Sequence, residues 1–162
     1  EQNAEELELI YIMKKKLKLT LLIYLILFGF SGCNKIIDQS KETQNVQNVL
    51  QNYFNAVADR SWDELKAMSS DDMILLENGV VWNNDSLIQG VDKLWDGFEI
   101  HFTLDYVSTN IDNNTAWIYY KNGATARKDT LKIKLRWLES AHFVKENNEW
   151  KLSFLHSTLI PK

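Results

Sequence analysis

Glu139-Ser-Ala-His-Phe-Val-Lys145-Glu-Asn-Asn-Glu-Trp150-Lys-Leu-Ser-Phe-Leu-His156-Ser-Thr158 is the stretch that decides the fold. Its centre, Glu146-Asn147-Asn148-Glu149, is a polar turn between two runs of period-two hydrophobicity, the pattern of strands with one buried face. On the second run Trp150, Leu152, Phe154 and His156 share a face, and the strand is predicted to reach Ile160. On the first, Leu131, Ile133, Leu135 and Trp137 alternate with Lys132, Lys134 and Arg136, and the strand continues to Lys145 past a bulge expected near Leu138–Ser140. A hairpin symmetric about its turn sets Glu139 opposite His156.

Outward from the hairpin the same period recurs. Phe98, Ile100, Phe102, Leu104 and Tyr106 alternate with Glu99, His101, Thr103 and Asp105; Asp112-Asn113-Asn114 turns the chain into a strand over Thr115–Lys121. Further upstream, Met73–Leu76 and Val80–Trp82 are short strands around the Glu77-Asn78-Gly79 turn. The N-terminal part is helical. Val46, Val49, Leu50, Tyr53, Phe54 and Val57 form one stripe at helical spacing. Ser61-x-x-Glu64 is a capping box opening a short helix through about Met68, which Asp71-Asp72 ends. A third helix covers Val91–Asp96, extending back to Asp85 only if Gly90 is accommodated at about 1 kcal/mol against Ala. Helices first and long strands after predict an α+β domain, a curved antiparallel sheet packed against N-terminal helices around a cone-shaped pocket.

With 45% apolar and 25% charged residues in 162, the chain has the profile of one globular domain. A net charge of −4 excludes a nucleic-acid binder driven by a basic surface. One cysteine excludes an internal disulfide and a cysteine-rich zinc cluster.

That cysteine, Cys33, follows Met13-Lys14-Lys15-Lys16-Leu17-Lys18 and an uncharged run of 12 residues from Leu19 to Phe30. A bilayer-spanning helix needs about 20 apolar residues, so the basic start and short apolar run predict a secretory signal peptide over residues 13–32. Phe30-Ser31-Gly32-Cys33 resembles a lipobox, which implies cleavage before Cys33 and acylation of its sulfur. Residues 1–12 precede the plausible start and are taken as an upstream extension. The basic and acidic residues ahead of Cys33 cancel, leaving the mature charge at −4. Residues 33–41 are expected to tether the lipid to a domain over 42–162. Asn34 is not the aspartate that retains enterobacterial lipoproteins at the inner membrane, which favours an outer-membrane, periplasm-facing position.

The order of elements is similar to the nuclear transport factor 2-like or SnoaL-like domain, a cystatin-like cone, over about residues 43–160. The final hairpin carries most of the resemblance. SnoaL-like domains and the association domains of calcium/calmodulin-dependent kinases end in a hydrophobic strand, a Lys-containing turn, a Trp, and a His six residues on followed by Ser or Thr. Trp150, His156 and Thr158 hold those places. The family includes isomerases, dehydratases, cyclases and oligomerisation domains, so the fold leaves function open.

His156 is predicted to point into the cone, either as a general base or ligand contact, or as a packed histidine with a polar partner. Glu139 either faces inward, with the raised pKa of a desolvated carboxyl, or lies outside against Arg136 or Lys134. Together they are the candidate acid/base pair. Tyr53, Trp82, Trp95, Phe102, Tyr120 and Phe154 are the candidate ligand-binding residues. His101, Asp105 and His142 fall on outward faces, and the histidine spacings carry no metal signal. Nor is there any cofactor motif. In ketosteroid isomerases an aspartate base sits on the first short strand; its nearest equivalent, Glu77, reads as a turn residue here. That favours a lipoprotein binding a small apolar or amphipathic ligand, or mediating association, over a cofactor-free isomerase, dehydratase or cyclase using Glu139 and His156. Trp117 and Tyr119 must lie opposite Ala116, Ile118 and Tyr120, and such exposed aromatic surface predicts a homodimer.

Overall fold

The computed structural model describes residues 39–161. The expected signal peptide, Cys33 and most of the tether lie outside the described residues. Gln39–Lys41, the expected end of that tether, are the first residues of helix α1.

Helix α1 (Gln39–Asp59) buries Val46, Leu50, Tyr53, Phe54 and Val57, the stripe read from its spacing, together with Ala56. It ends at Arg60, whose φ of 56° turns the chain. The Arg60 guanidinium donates to the carbonyls of Trp95 at 2.6 Å and Phe98 at 3.4 Å, fixing the start of the sheet to the end of the helix. Helix α2 (Trp62–Ala67) starts where the capping box predicts, but the Ser61 hydroxyl makes no capping bond. Ser61 has ψ of 71°, outside the extended conformation that aims a cap oxygen at the first-turn amides.

Strand β1 (Ser69–Glu77) starts four residues before the expected run and includes Asp71-Asp72. Those aspartates sit where its pairing with the last strand is irregular, so they interrupt the ladder rather than the chain direction. Asn78 and Gly79, both at positive φ, make the two-residue turn into β2 (Val80–Trp82). Helix α3 spans Asn84–Leu94, capped by Asn83 Oδ1 accepting from the Ser86 amide at 2.9 Å. It runs through Gly90, where the Trp82 ring lies against the helix and a Cβ would stand 2.9 Å from the ring. It stops before the expected end at Asp96.

Strands β3 (Glu99–Asp112), β4 (Thr115–Lys128), β5 (Leu131–Glu146) and β6 (Glu149–Leu159) complete one curved, unclosed sheet in the order β2-β1-β6-β5-β4-β3. The α+β expectation holds, with one refinement: β1 pairs with β6 in parallel, all other neighbours being antiparallel. Strand β4 is longer than its apolar run because Asn122-Gly123 continues it in unbroken register with β5. The Asn122 side chain is buried on the concave face. Helix α1 packs on that face, with Val46, Leu50 and Tyr53 in one core with Ile118, Phe143 and Leu152.

The β5–β6 register differs from a symmetric hairpin. Lys145 faces Trp150 and Phe143 faces Leu152, but His142 faces Phe154. Ser153 is therefore an extra residue on β6, a bulge fourteen residues away in sequence from the site expected on β5; the β4–β5 ladder is unbroken through Leu138–Ser140. Since side chains alternate faces, one inserted residue inverts every side chain beyond it. Trp150 and Leu152 point into the core; after the bulge Leu155 and Ser157 do so, while His156 and Thr158 are exposed.

Candidate functional site

The concave face of the sheet, β2 and the inner sides of α1 and α3 enclose a cavity of about 430 Å³. Its lining is mostly apolar, with Trp82 from β2, Leu87 and Val91 from α3, Trp95 from the following loop, and Phe102, Leu135 and Trp137 from the sheet. The polar lining residues are Tyr53, Glu77, Asn78, Asn122, Glu139 and Ser157.

Most of these form one contiguous patch. Glu139 on β5 is 6% exposed. Its carboxylate accepts from Asn122 Nδ2 at 3.1 Å and from the Ser157 hydroxyl at 2.8 Å. Glu77, the last residue of β1, is the parallel partner of Ser157, which brings its carboxylate to the same patch. There it accepts from Asn78 Nδ2 at 2.7 Å. The Tyr53 hydroxyl donates to Asn84 Oδ1 at 3.3 Å.

Burial among apolar side chains pushes the Glu139 pKa up to about 7, against the nearby Tyr120 hydroxyl and the Ser157 and Asn122 hydrogen bonds, and the nearby Glu77 charge adds to the rise. Glu77 is also raised, first by burial, with Ser157, the Trp137 indole and the His156 charge opposing. Burial and the Glu139 charge together hold the Tyr53 phenol above its ordinary range. The same causes act more strongly on Tyr120, whose buried hydroxyl has no partner meeting hydrogen-bond geometry. A carboxyl with pKa near neutrality is present in both protonation states, so Glu139 can donate as well as accept.

The structure divides the expected site residues. Glu139 faces inward, and Tyr53, Trp82, Trp95 and Phe102 line the cavity. Three expectations are corrected. His156 lies exposed on the convex face opposite Ser140, because the Ser153 bulge turns it away; the Glu139–His156 pair does not form, and Glu139 faces Ser157 instead. Phe154 is turned outward by the same bulge and packs edge-on against Trp117, ring centroids 6.3 Å apart. Tyr120 is fully buried in the core between Phe54 and the sheet and does not line the cavity.

The sequence pattern assigns Glu77 to a turn, but the turn is Asn78-Gly79, and Glu77 ends the strand with its side chain on the cavity. Asn122 and Ser157 were missed. Ser157 becomes visible only once the bulge is placed, and Asn122 lies just past Lys121, where the expected strand ends. His101, on the exposed face of β3, lies where its alternation places it. Among the described residues no three His, Cys, Asp or Glu side chains gather as a metal site.

A family model of the SnoaL-like domain matches residues 46–161. The chain belongs to this family. Solved structures similar to this SnoaL-like domain include a conserved protein from Planctomyces limnophilus, with a TM-score of 0.70, 12% identity, and 76% of this chain and 100% of that one covered. A ketosteroid isomerase-like protein from Erwinia carotovora gives 0.61 at 13% identity, covering 75% and 98%. The CaMKII hub of S. rosetta gives 0.62 at 20% identity, covering 73% and 96%. At these identities the likeness establishes the fold alone, in agreement with a cystatin-like protein from Nostoc punctiforme at a TM-score of 0.61 and 13% identity, covering 74% and 91%. Comparison with curated protein sequences gives no match.

The signature Trp of the last hairpin has a structural task in this SnoaL-like domain. Trp150 Nε1 donates to Glu42 Oε2 at 2.6 Å, and Lys145 Nζ donates to the same oxygen at 2.9 Å while lying 5.0 Å from the Trp150 ring centroid. These bonds tie the first turn of α1 to the hairpin and lower the Glu42 pKa, chiefly through Lys145.

Proposed function

We propose that this SnoaL-like domain is an envelope-anchored binding module whose cavity takes a small amphipathic molecule. The carrying observation is the division of the cavity wall, one patch formed by Glu77, Asn122, Glu139 and Ser157 within an otherwise apolar, tryptophan-rich lining. Such a wall suits a ligand with an apolar body and a polar group fixed at one point. Native mass spectrometry of the protein purified from membranes tests this reading. A small molecule retained at unit stoichiometry, and lost when Trp82 and Trp95 are replaced by Ala, is the expected result. Protein that carries nothing and takes up no amphipathic probe overturns it.

Proton-transfer chemistry is the second reading, favoured by two carboxyls of raised pKa in one patch. With His156 on the convex face, Glu77 rather than His156 partners Glu139 in this version. The ketosteroid isomerase-like neighbour lends the reading only a shared fold. Turnover abolished by both Glu77→Gln and Glu139→Gln, with ligand affinity retained, distinguishes catalysis from binding.

Anchoring is proposed to run through acylated Cys33, placing the domain at the outer membrane facing the periplasm. Two acyl chains hold a protein stably where one is marginal. Cys33→Ala should release the protein from the membrane fraction, and unchanged association ends the proposal. Self-association is proposed through the convex face, where Trp117 is 40% and Tyr119 46% exposed beside Leu138 at 54%. Sedimentation at tens of micromolar should show a dimer; a monomer there rejects it.

A further inference from the structure

The polar patch is unbalanced. It contains two carboxyls and the carboxamides of Asn78 and Asn122, and among the described residues no Lys, Arg or His lines the cavity. The side-chain donors that line it are already engaged, and the Tyr120 hydroxyl, buried behind the patch, does not reach the cavity. Asn122 Nδ2 and the Ser157 hydroxyl are directed at Glu139, Asn78 Nδ2 at Glu77, and the Tyr53 hydroxyl at Asn84. Acceptor capacity is left over. Asn122 is 2% exposed, and its Oδ1 has no hydrogen-bond partner among the described residues. The carboxylates also keep lone pairs beyond the bonds they receive, since each has about four acceptor sites. A buried acceptor without a donor is costly, and a buried carboxylate without a cation more so.

Trp82, Trp95 and Trp137 line the same cavity, and Trp137 stands beside Glu77. Indole is the aromatic ring that best attracts a cation. An anionic ligand head would meet Glu77 and Glu139 with no cation lining the cavity among the described residues; His156, whose charge acts on Glu77, is exposed on the convex face. A neutral hydroxyl would supply one donor to a surplus of acceptors. An ammonium supplies three donors and the missing charge together.

From this we infer that the cavity selects an amphipathic organic amine, its ammonium set against Glu77, Glu139 and Asn122 and its apolar body against the tryptophans. The inference rests on the binding reading above and narrows it to one ligand class. It assigns Glu77 the larger share of recognition, because Glu77 is only partly buried at the end of its strand, whereas Glu139 is buried and held by Asn122 and Ser157.

Phenylbutylamine, phenylbutanol and phenylbutanoate present one apolar body with a cationic, neutral or anionic head. Calorimetric titration of each into the full chain in nonionic detergent, with detergent alone subtracted, reads the preference directly. The amine should bind about tenfold more tightly than the alcohol, the scale of one charge-assisted contact, and the carboxylate most weakly. Glu77→Gln should bring the amine down to the affinity of the alcohol. Glu77 is a strand-end residue, so this variant is expected to fold, and its melting temperature checks that. Carboxylate binding equal to the amine overturns the amine inference while leaving the cavity a binding site. So does an amine preference that survives in a folded Glu77→Gln protein carrying Glu139→Gln as well. Failure of all three probes removes the binding reading and the inference with it.

Discussion

Replacing Glu139 by Gln should change the pH dependence of stability more than stability itself. Glu139 titrates at about 7 in the folded protein, against 4.5 for a free glutamate, because burial disfavours its charge. Below pH 4.5 both states carry the proton and the group is neutral to folding. Between pH 4.5 and 7 the folded state holds a proton that the unfolded state has released, so stability falls as pH rises. Above 7 both are ionised, and the loss is complete. A shift of that size corresponds to about 3 kcal/mol, at 1.36 kcal/mol for each pH unit. Glutamine keeps the shape and one acceptor for Ser157 or Asn122, and never ionises. Urea unfolding of both proteins, in steps from about pH 4 to pH 8, isolates Glu139 as the difference between the curves. The variant's advantage should grow by about 3 kcal/mol across that window and level off above it. A difference independent of pH, or one that shrinks as pH rises, would refute the reasoning; Glu139 would then be ionised at little cost in the fold.

Glu42→Gln should weaken the bonds from Lys145 and Trp150 and destabilise the domain by about 1–2 kcal/mol at pH 7. Because the Glu42 pKa is lowered on folding, its contribution is present above the ordinary carboxylate pKa and lost as pH falls through the folded value. Unfolding curves of the two proteins should therefore converge in acid. Gly90→Ala gains about 1 kcal/mol of helix propensity, yet its Cβ would meet the Trp82 ring at 2.9 Å. The indole must move, and a shift in tryptophan emission with weaker ligand binding is expected; unchanged emission and affinity count against the packing argument. His156→Gln should leave melting temperature and ligand affinity essentially unchanged, since the side chain is exposed on the convex face. Ser157→Ala, one residue on, should alter both, and the reverse ranking would place the bulge elsewhere.

Local patterns alone decided the fold class. The helical stripe from Val46 to Val57 and the alternation in β3, β5 and the start of β6 reflect a segment's need to bury one face, which each segment carries in its own residues. Trp117 and Tyr119 were likewise legible as convex-face residues, because Ala116, Ile118 and Tyr120 fix the parity of β4. The identity of the site was not legible in this way. Which residues meet across strands depends on register, and register at the critical hairpin turns on a single extra residue, Ser153. Its presence has no local signature, since Leu152-Ser153-Phe154 continues a flawless alternation. The bulge comes from tertiary demands on both sides of it. Phe143, Leu152 and Trp150 must fill the core beneath α1, whereas farther along Leu155 and Ser157 must face the cavity and pair with Leu75 and Glu77 of β1. Those two requirements have opposite parity, and one inserted residue reconciles them. Sequence therefore determined that Glu139 and His156 stand on neighbouring strands; only the packed sheet, by placing that residue, turned Ser157 toward Glu139 and His156 away from it.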